Sequence, residues 1–114
     1  VPRHIPDAAR ALAEARERGA RAHLIGPVTN QAEALDAIGA ALSFPAWYGR
    51  NLDALYDCLT DLSWLPAGEH VLIWSGHRDL EITDPDGYRA VLAVLDDAVA
   101  ASTGNPLAVL LVDA

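Results

Sequence analysis

The stretch "FPAWYGRNLDALYDCLTDLSWLP", Phe44 to Pro66, decides the reading of this chain. Pro45 and Gly49 punctuate a loop that runs from Ser43 to Arg50. Asn51 is a good N-cap, because its short side chain can accept from the orphan N–H groups of a helix start. Leu52, Leu55, Tyr56 and Leu59 follow at helical spacing, so the spacing predicts a helix over Asn51 to Leu62. That helix lines up Asp53, Asp57 and Asp61, and like charges four residues apart repel at a cost of roughly 0.2–0.5 kcal/mol per pair. Asp53 has a structural reason, since an acid in the first turn suits the helix dipole. Asp57 and Asp61 have none. Trp47 and Tyr48 stand in the loop just before this acidic row.

Working outward, "HVLIWSG" (His70 to Gly76) and "LAVLLVD" (Leu107 to Asp113) are continuous apolar runs, the kind buried on both faces of a parallel sheet. "RAHLIG" (Arg21 to Gly26) is a third, shorter strand. Between these, Thr29 or Asn30 caps a helix whose apolar face is Ala34, Leu35, Ile38, Ala41 and Leu42, with Glu33 as capping partner. Asp84 or Asp86 opens a long helix to about Ser102, buried through Tyr88, Val91, Leu92, Leu95 and Val99. "HRDLEITDPDG" between strand and helix is polar and turn-rich, with at most one helical turn. "IPDAARALAEARERGA" (Ile5 to Ala20) is an amphipathic helix that looks added to the core. The expected architecture is α/β: a small three-stranded parallel sheet packed with helices, in the order α-β-α-α-β-α-β. The expected division is an N-terminal extension over 1–20 and one domain over 21–114.

The 114 residues suit a single domain with a real core. No apolar run approaches the roughly 20 residues that span a bilayer. No secretory leader is evident. The single cysteine, Cys58, cannot form an internal disulfide, which favours a cytoplasmic setting. Eight basic against sixteen acidic residues give a formal net charge of −8. Such a chain is expected to avoid nucleic acid and anionic membranes, and to attract a basic partner.

Catalytic patterns are weak. "HRDL" at His77 has the letters of a kinase catalytic loop, but the chain has no lysine, no Gly-rich loop and no DFG. His4, His23, His70 and His77 lack zinc-motif spacing. Cys58 sits mid-helix beside Leu59 and reads as a buried structural thiol. No catalytic residue, metal site or cofactor is therefore expected. The carboxylates Asp53, Asp57, Asp61, Asp96 and Asp97 remain. They admit a solvated helix face, a surface for a cationic partner, or metal-assisted acid–base chemistry. Trp47, Tyr48 and Tyr56 beside them favour a binding surface, because Trp and Tyr are frequent interface anchors.

These residues resemble the signature of the barstar family, intracellular inhibitors of a secreted guanyl-preferring ribonuclease. The family pattern is roughly Pro-x-Tyr-Tyr-Gly-x-Asn-Leu-Asp-Ala-Leu-Trp-Asp-Cys-Leu. Pro45, Tyr48, Gly49, Asn51 to Leu55 and Asp57 to Leu59 match it in register. Weaker similarity runs from about Ala22 onward. The resemblance implies a barstar-like fold and an inhibitor, not an enzyme, that binds one ribonuclease with its loop and acidic helix. It implies that the central inhibitory carboxylate falls on Asp57, with further contacts from Gly49, Asn51 and Asp53. The family's late-helix glutamate falls on Asp97, which is shorter. Trp47 stands where the family often has Tyr, and Tyr56 where it often has Trp. These departures imply a partner related to, but distinct from, the ribonuclease of barstar itself. An immunity protein for another toxin domain, and a metal-dependent hydrolase using paired aspartates, are the rival readings.

Overall fold

The computed structural model describes residues 2–113. In chain order the elements are β1 (Arg3–Ile5), α1 (Ala8–Glu17), β2 (Arg21–Ile25), α2 (Gln31–Ala41), α3 (Leu52–Asp61), β3 (His70–Ser75), α4 (His77–Thr83), α5 (Pro85–Ala101) and β4 (Leu107–Val112). The strands form one parallel sheet in the order β1-β4-β3-β2. The two apolar runs thus lie side by side in its interior, with His70 opposite Leu107 and Ser75 opposite Val112.

Because side chains alternate along a strand, each buried strand serves two layers. Leu72, Trp74, Leu107, Val109 and Leu111 face the larger core, where α2 to α5 pack around Ile38, Leu55, Leu59, Val91 and Leu95. Val71, Ile73, Leu110 and Val112 face the opposite side and meet Ile5, Ala11 and Ala15 from β1 and α1. The residues before position 20 therefore cover a sheet face that is as apolar as the other.

The sheet has four strands where the sequence reading expects three. Residues 3–5, expected partly as helix and partly as extension, instead pair with Leu110 to Val112. Three residues between Pro2 and Pro6 carry too little pattern to read as a strand. An edge position tolerates flanking prolines, because only one side must supply ladder hydrogen bonds. The first helix accordingly starts later, with the Asp7 carboxylate capping the Arg10 N–H at 2.7 Å. The segment after β3 is also more ordered than expected: α4 spans seven residues and follows Gly76. The remaining caps fall where the sequence places them. Asn30 accepts from Glu33 N–H, Asn51 from Ala54 N–H, and Asp84 from Gly87 N–H.

At the start of the sheet a chain of histidines ties strands to loops. The ring nitrogens His23 Nε2 and His70 Nδ1 lie 2.9 Å apart. The outer nitrogens lie within hydrogen-bonding distance of backbone carbonyls, His23 Nδ1 3.2 Å from the Ala41 oxygen and His70 Nε2 2.8 Å from the Pro66 oxygen. Burial, reinforced by the neighbouring His70, holds the His23 imidazole below its ordinary pKa.

Candidate functional site

The loop before α3 is fixed by aromatic packing. Phe44 meets Tyr48 edge-on at 4.7 Å and Trp64 edge-on at 5.7 Å. The Tyr48 hydroxyl donates to the Leu35 carbonyl at 3.1 Å, and the Trp64 indole N–H donates to the Leu42 carbonyl at 2.9 Å. Tyr48 is half-buried, and that burial pushes its phenol up to about 12. Tyr48 and Trp64 thus anchor the loop to α2. Trp47 does the opposite: it is 65% exposed and meets Trp64, which follows α3, edge-on at 6.4 Å. An indole held in water by a rigid scaffold is the usual form of an interface anchor.

Arg50 then turns the chain into the helix with a left-handed backbone, φ 54°. Its guanidinium reaches Asp36 at 3.5 Å on the outside of α2, and so leans away from the acidic row. Gly49 lies close against the cap: a Cβ there would sit 3.2 Å from Asn51 Nδ2. Any side chain at Gly49 would therefore press on the residue that starts α3.

On α3, Leu55, Cys58 and Leu59 are buried, whereas Asp53 and Asp57 are exposed. Tyr56 is half-buried against the main core, so its ring belongs partly to packing. Asp61 is also half-buried and accepts from the Ser63 hydroxyl at 3.1 Å. Among the described residues no ion pair reaches Asp53, Asp57 or Asp97. The last turn of α3 has no basic residue, and neither has the last turn of α5.

The relation between these two helices is what sequence could not show. They pack side by side with their C-terminal ends together. Thr103 and Gly104 N–H donate to the Thr60 carbonyl, and Asn105 N–H donates to the Asp61 carbonyl. A side chain at Gly104 could not coexist with this join, since its Cβ would fall 1.9 Å from the Asp61 oxygen. Asp57 is four residues before Asp61, and Asp97 five before Ser102. At ~1.5 Å rise per residue, the two carboxylates sit at a similar level, some 6–8 Å back from the join. Two helices in this arrangement add the negative ends of their dipoles, each worth about half a charge, to the same surface. Local structure thus concentrates negative potential, and among the described residues no ion pair relieves it at Asp53, Asp57 or Asp97.

Cys58 lies directly beneath this surface. It is fully buried, and burial, with Asp57 and Asp61 next to it, pushes its thiol up. It is a packing residue.

A family model described as Barstar (barnase inhibitor) matches residues 20–112. The chain belongs to the barstar family. A curated relative named "Putative ribonuclease inhibitor YrdF", from Bacillus subtilis (strain 168), is 58% identical over 31 residues. That match covers 27% of this chain and 34% of the relative, so it spans about a third of the relative's length. The matching family is one of inhibitors and not of enzymes. Among the described residues, no helix of this barstar-family protein is long and apolar enough to cross a membrane.

Of the residues singled out from sequence, Trp47, Gly49, Asn51, Asp53 and Asp57 form one continuous loop-and-helix surface. Asp97 is exposed on the neighbouring helix at a similar level. Tyr56 contributes from a half-buried position. Trp64, packed against the main core, is the residue that braces Trp47. Its spacing after α3 gave no sign of that, because the contact depends on how the loop folds back over α2.

Proposed function

We propose that this protein inhibits a small, basic ribonuclease of the secreted, guanyl-specific kind, binding it one-to-one and covering its active site. The observation that carries this reading is the set of exposed carboxylates of Asp53, Asp57 and Asp97, reached by no ion pair among the described residues, on two helices whose C-terminal ends meet, together with the exposed Trp47 in the loop before α3. A ribonuclease active site must be cationic, because it holds phosphate and stabilises charge that develops during cleavage. Its Arg, Lys and His donors are satisfied equally well by carboxylates placed where phosphates would lie. In this reading Asp57 takes the place of an RNA phosphate at the centre. Asp53 and Asp97 flank it, and Asn51 with Gly49 shapes the approach. The repulsion built into the free surface is relieved when the cationic cleft docks. The inhibitor would protect the RNA of the cell that makes the enzyme, acting in the cytoplasm without cofactor or metal.

Trp47 and Tyr56 are assigned the choice of partner. An exposed indole covers a wider patch than a phenol, and the Tyr56 hydroxyl must find a partner once buried at an interface.

The test is titration of purified guanyl-specific ribonucleases with this protein. Stoichiometric loss of RNA cleavage that EDTA does not alter supports inhibition. Metal-dependent turnover of a phosphoester by the protein alone, with no effect on any ribonuclease, would overturn it.

A further inference from the structure

At the opposite end of the sheet, three residues far apart in sequence converge. His4 Nδ1 lies 2.8 Å from Asp113 Oδ1, and His77 Nε2 lies 3.1 Å from the same oxygen. One ligand atom from each residue falls within 4.8 Å of the other two. The cluster sits at the C-terminal edge of the sheet, with His77 and Asp113 just beyond the ends of β3 and β4 and His4 within β1; this is the edge at which open parallel sheets most often receive ligands. β4 runs six residues from the α3–α5 join to this point, so the cluster lies about 20 Å from that join at ~3.3 Å per residue.

We propose that His4, His77 and Asp113 form a binding site for a borderline divalent transition-metal ion, with zinc as the best match. Two imidazoles and one carboxylate are a common zinc donor set, and a water completes a tetrahedron. Ligand bonds near 2.0–2.1 Å place neighbouring donor atoms about 3.3 Å apart, close to the two His–Asp113 separations already present, while the two histidine nitrogens lie within 4.8 Å of each other. The His77 ring is fully buried and is oriented from behind, because its Nδ1 lies 2.7 Å from the Tyr88 hydroxyl. A hydroxyl can donate or accept. It can therefore accept from Nδ1–H when Nε2 binds metal, and donate to Nδ1 when Nε2–H faces Asp113. Metal-ligating histidines almost always have such an outer partner. The other two ligands are half-open to water, with His4 and Asp113 side chains 45% and 35% exposed, so an ion has a path in. One nearby group opposes the ion: Arg78 Nη2 lies 3.6 Å from Asp113 Oδ1. Residue types on three separate elements, one buried and braced, distinguish this cluster from a casual surface pair. Bound metal would clip β1 and the end of β4 to the start of α4.

The experiment uses the full chain without an affinity tag. Zn²⁺ is titrated by calorimetry, and Co²⁺ by its visible absorption as a geometry probe. One equivalent should bind, with tetrahedral-type cobalt bands and a higher Tm in excess metal. His4→Gln and Asp113→Asn change partly exposed residues, and each should weaken binding at least tenfold. Tyr88→Phe should weaken it by about tenfold, as loss of an outer partner does. Arg78→Ala should tighten it, because a neighbouring positive charge is removed. Failure to bind Zn²⁺ or Co²⁺ at 100-micromolar levels would overturn the proposal. So would binding that survives both His4→Gln and Asp113→Asn but is lost in His23→Gln, which would assign the ion to the His23–His70 pair.

Discussion

Replacing Asp57 by alanine should move stability and affinity in opposite directions. Asp57 faces Asp53 and Asp61 one turn away on either side, and each like-charged pair costs about 0.2–0.5 kcal/mol. Alanine is also the better helix former, by up to ~0.7 kcal/mol. No ion pair or hydrogen bond of the Asp57 carboxylate is lost in exchange. The sum is a gain of about 1–1.5 kcal/mol, which for a chain of this size raises Tm by roughly 4–6 °C. In the proposed complex, however, the same carboxylate is the central contact, and loss of such a hot spot weakens binding by at least ~2 kcal/mol, or about thirtyfold. Thermal melts of the free proteins and inhibition titrations against the cognate ribonuclease measure both quantities on the same samples. A lower Tm would show that Asp57 holds the fold together. An unchanged affinity would remove it from the interface. Either result refutes the assignment.

Other outcomes follow from the same surface. The association rate with the ribonuclease should fall steeply as salt is raised, with the dissociation rate changing less, as stopped-flow mixing would show. Cys58→Ala should inhibit normally and lose about 1–2 kcal/mol in denaturant melts, and the native thiol should react slowly with a thiol reagent. Tyr48 should resist ionisation until about pH 12, as followed by phenolate absorbance. Its raised value means that its contribution to stability is intact below pH 10 and is lost as pH climbs from 10 towards 12, a loss absent in Tyr48→Phe. Exchanging Trp47→Tyr together with Tyr56→Trp should weaken binding to the cognate enzyme and improve binding to the ribonuclease of barstar itself; parallel changes for both enzymes would assign these rings to packing alone.

The parts of this molecule that were legible in the sequence are those governed by local rules. Asn30, Asn51 and Asp84 cap helices because the bond each makes reaches only three residues ahead. β3 and β4 are readable because burial on both faces leaves an unbroken apolar run. The acidic row on α3 is readable because helical periodicity alone aligns it. What was hidden depends on chain segments meeting across the fold. β1 is a strand through its pairing with residues more than a hundred positions away, and nothing within Pro2 to Pro6 announces it. Asp113 meets His4 across 109 residues and His77 across 36. No spacing motif spans such intervals. The side-by-side packing of α3 and α5 likewise turns two unremarkable helix ends into one concentrated field.

The strand order has a kinetic consequence. β4 comes after every other described element in the chain, yet it lies inside the sheet between β1 and β3. β3 can recruit β4 across a short interval bridged by α4 and α5, and β2 can find β3 across a similar one. β1 has β4 as its sole strand neighbour, and must close a loop more than twice as long; each doubling of loop length adds about 0.6 kcal/mol of entropy cost. The sheet should therefore assemble from β2, β3 and β4 and admit β1 last, giving folding its most non-local, slowest contacts at the end. During synthesis, β1 emerges before the other described strands and waits longest for its partner. Until it docks, the outer edge of β4 presents six residues of unpaired backbone; once docked, β1 leaves an edge of three, a poorer template for pairing between nascent chains.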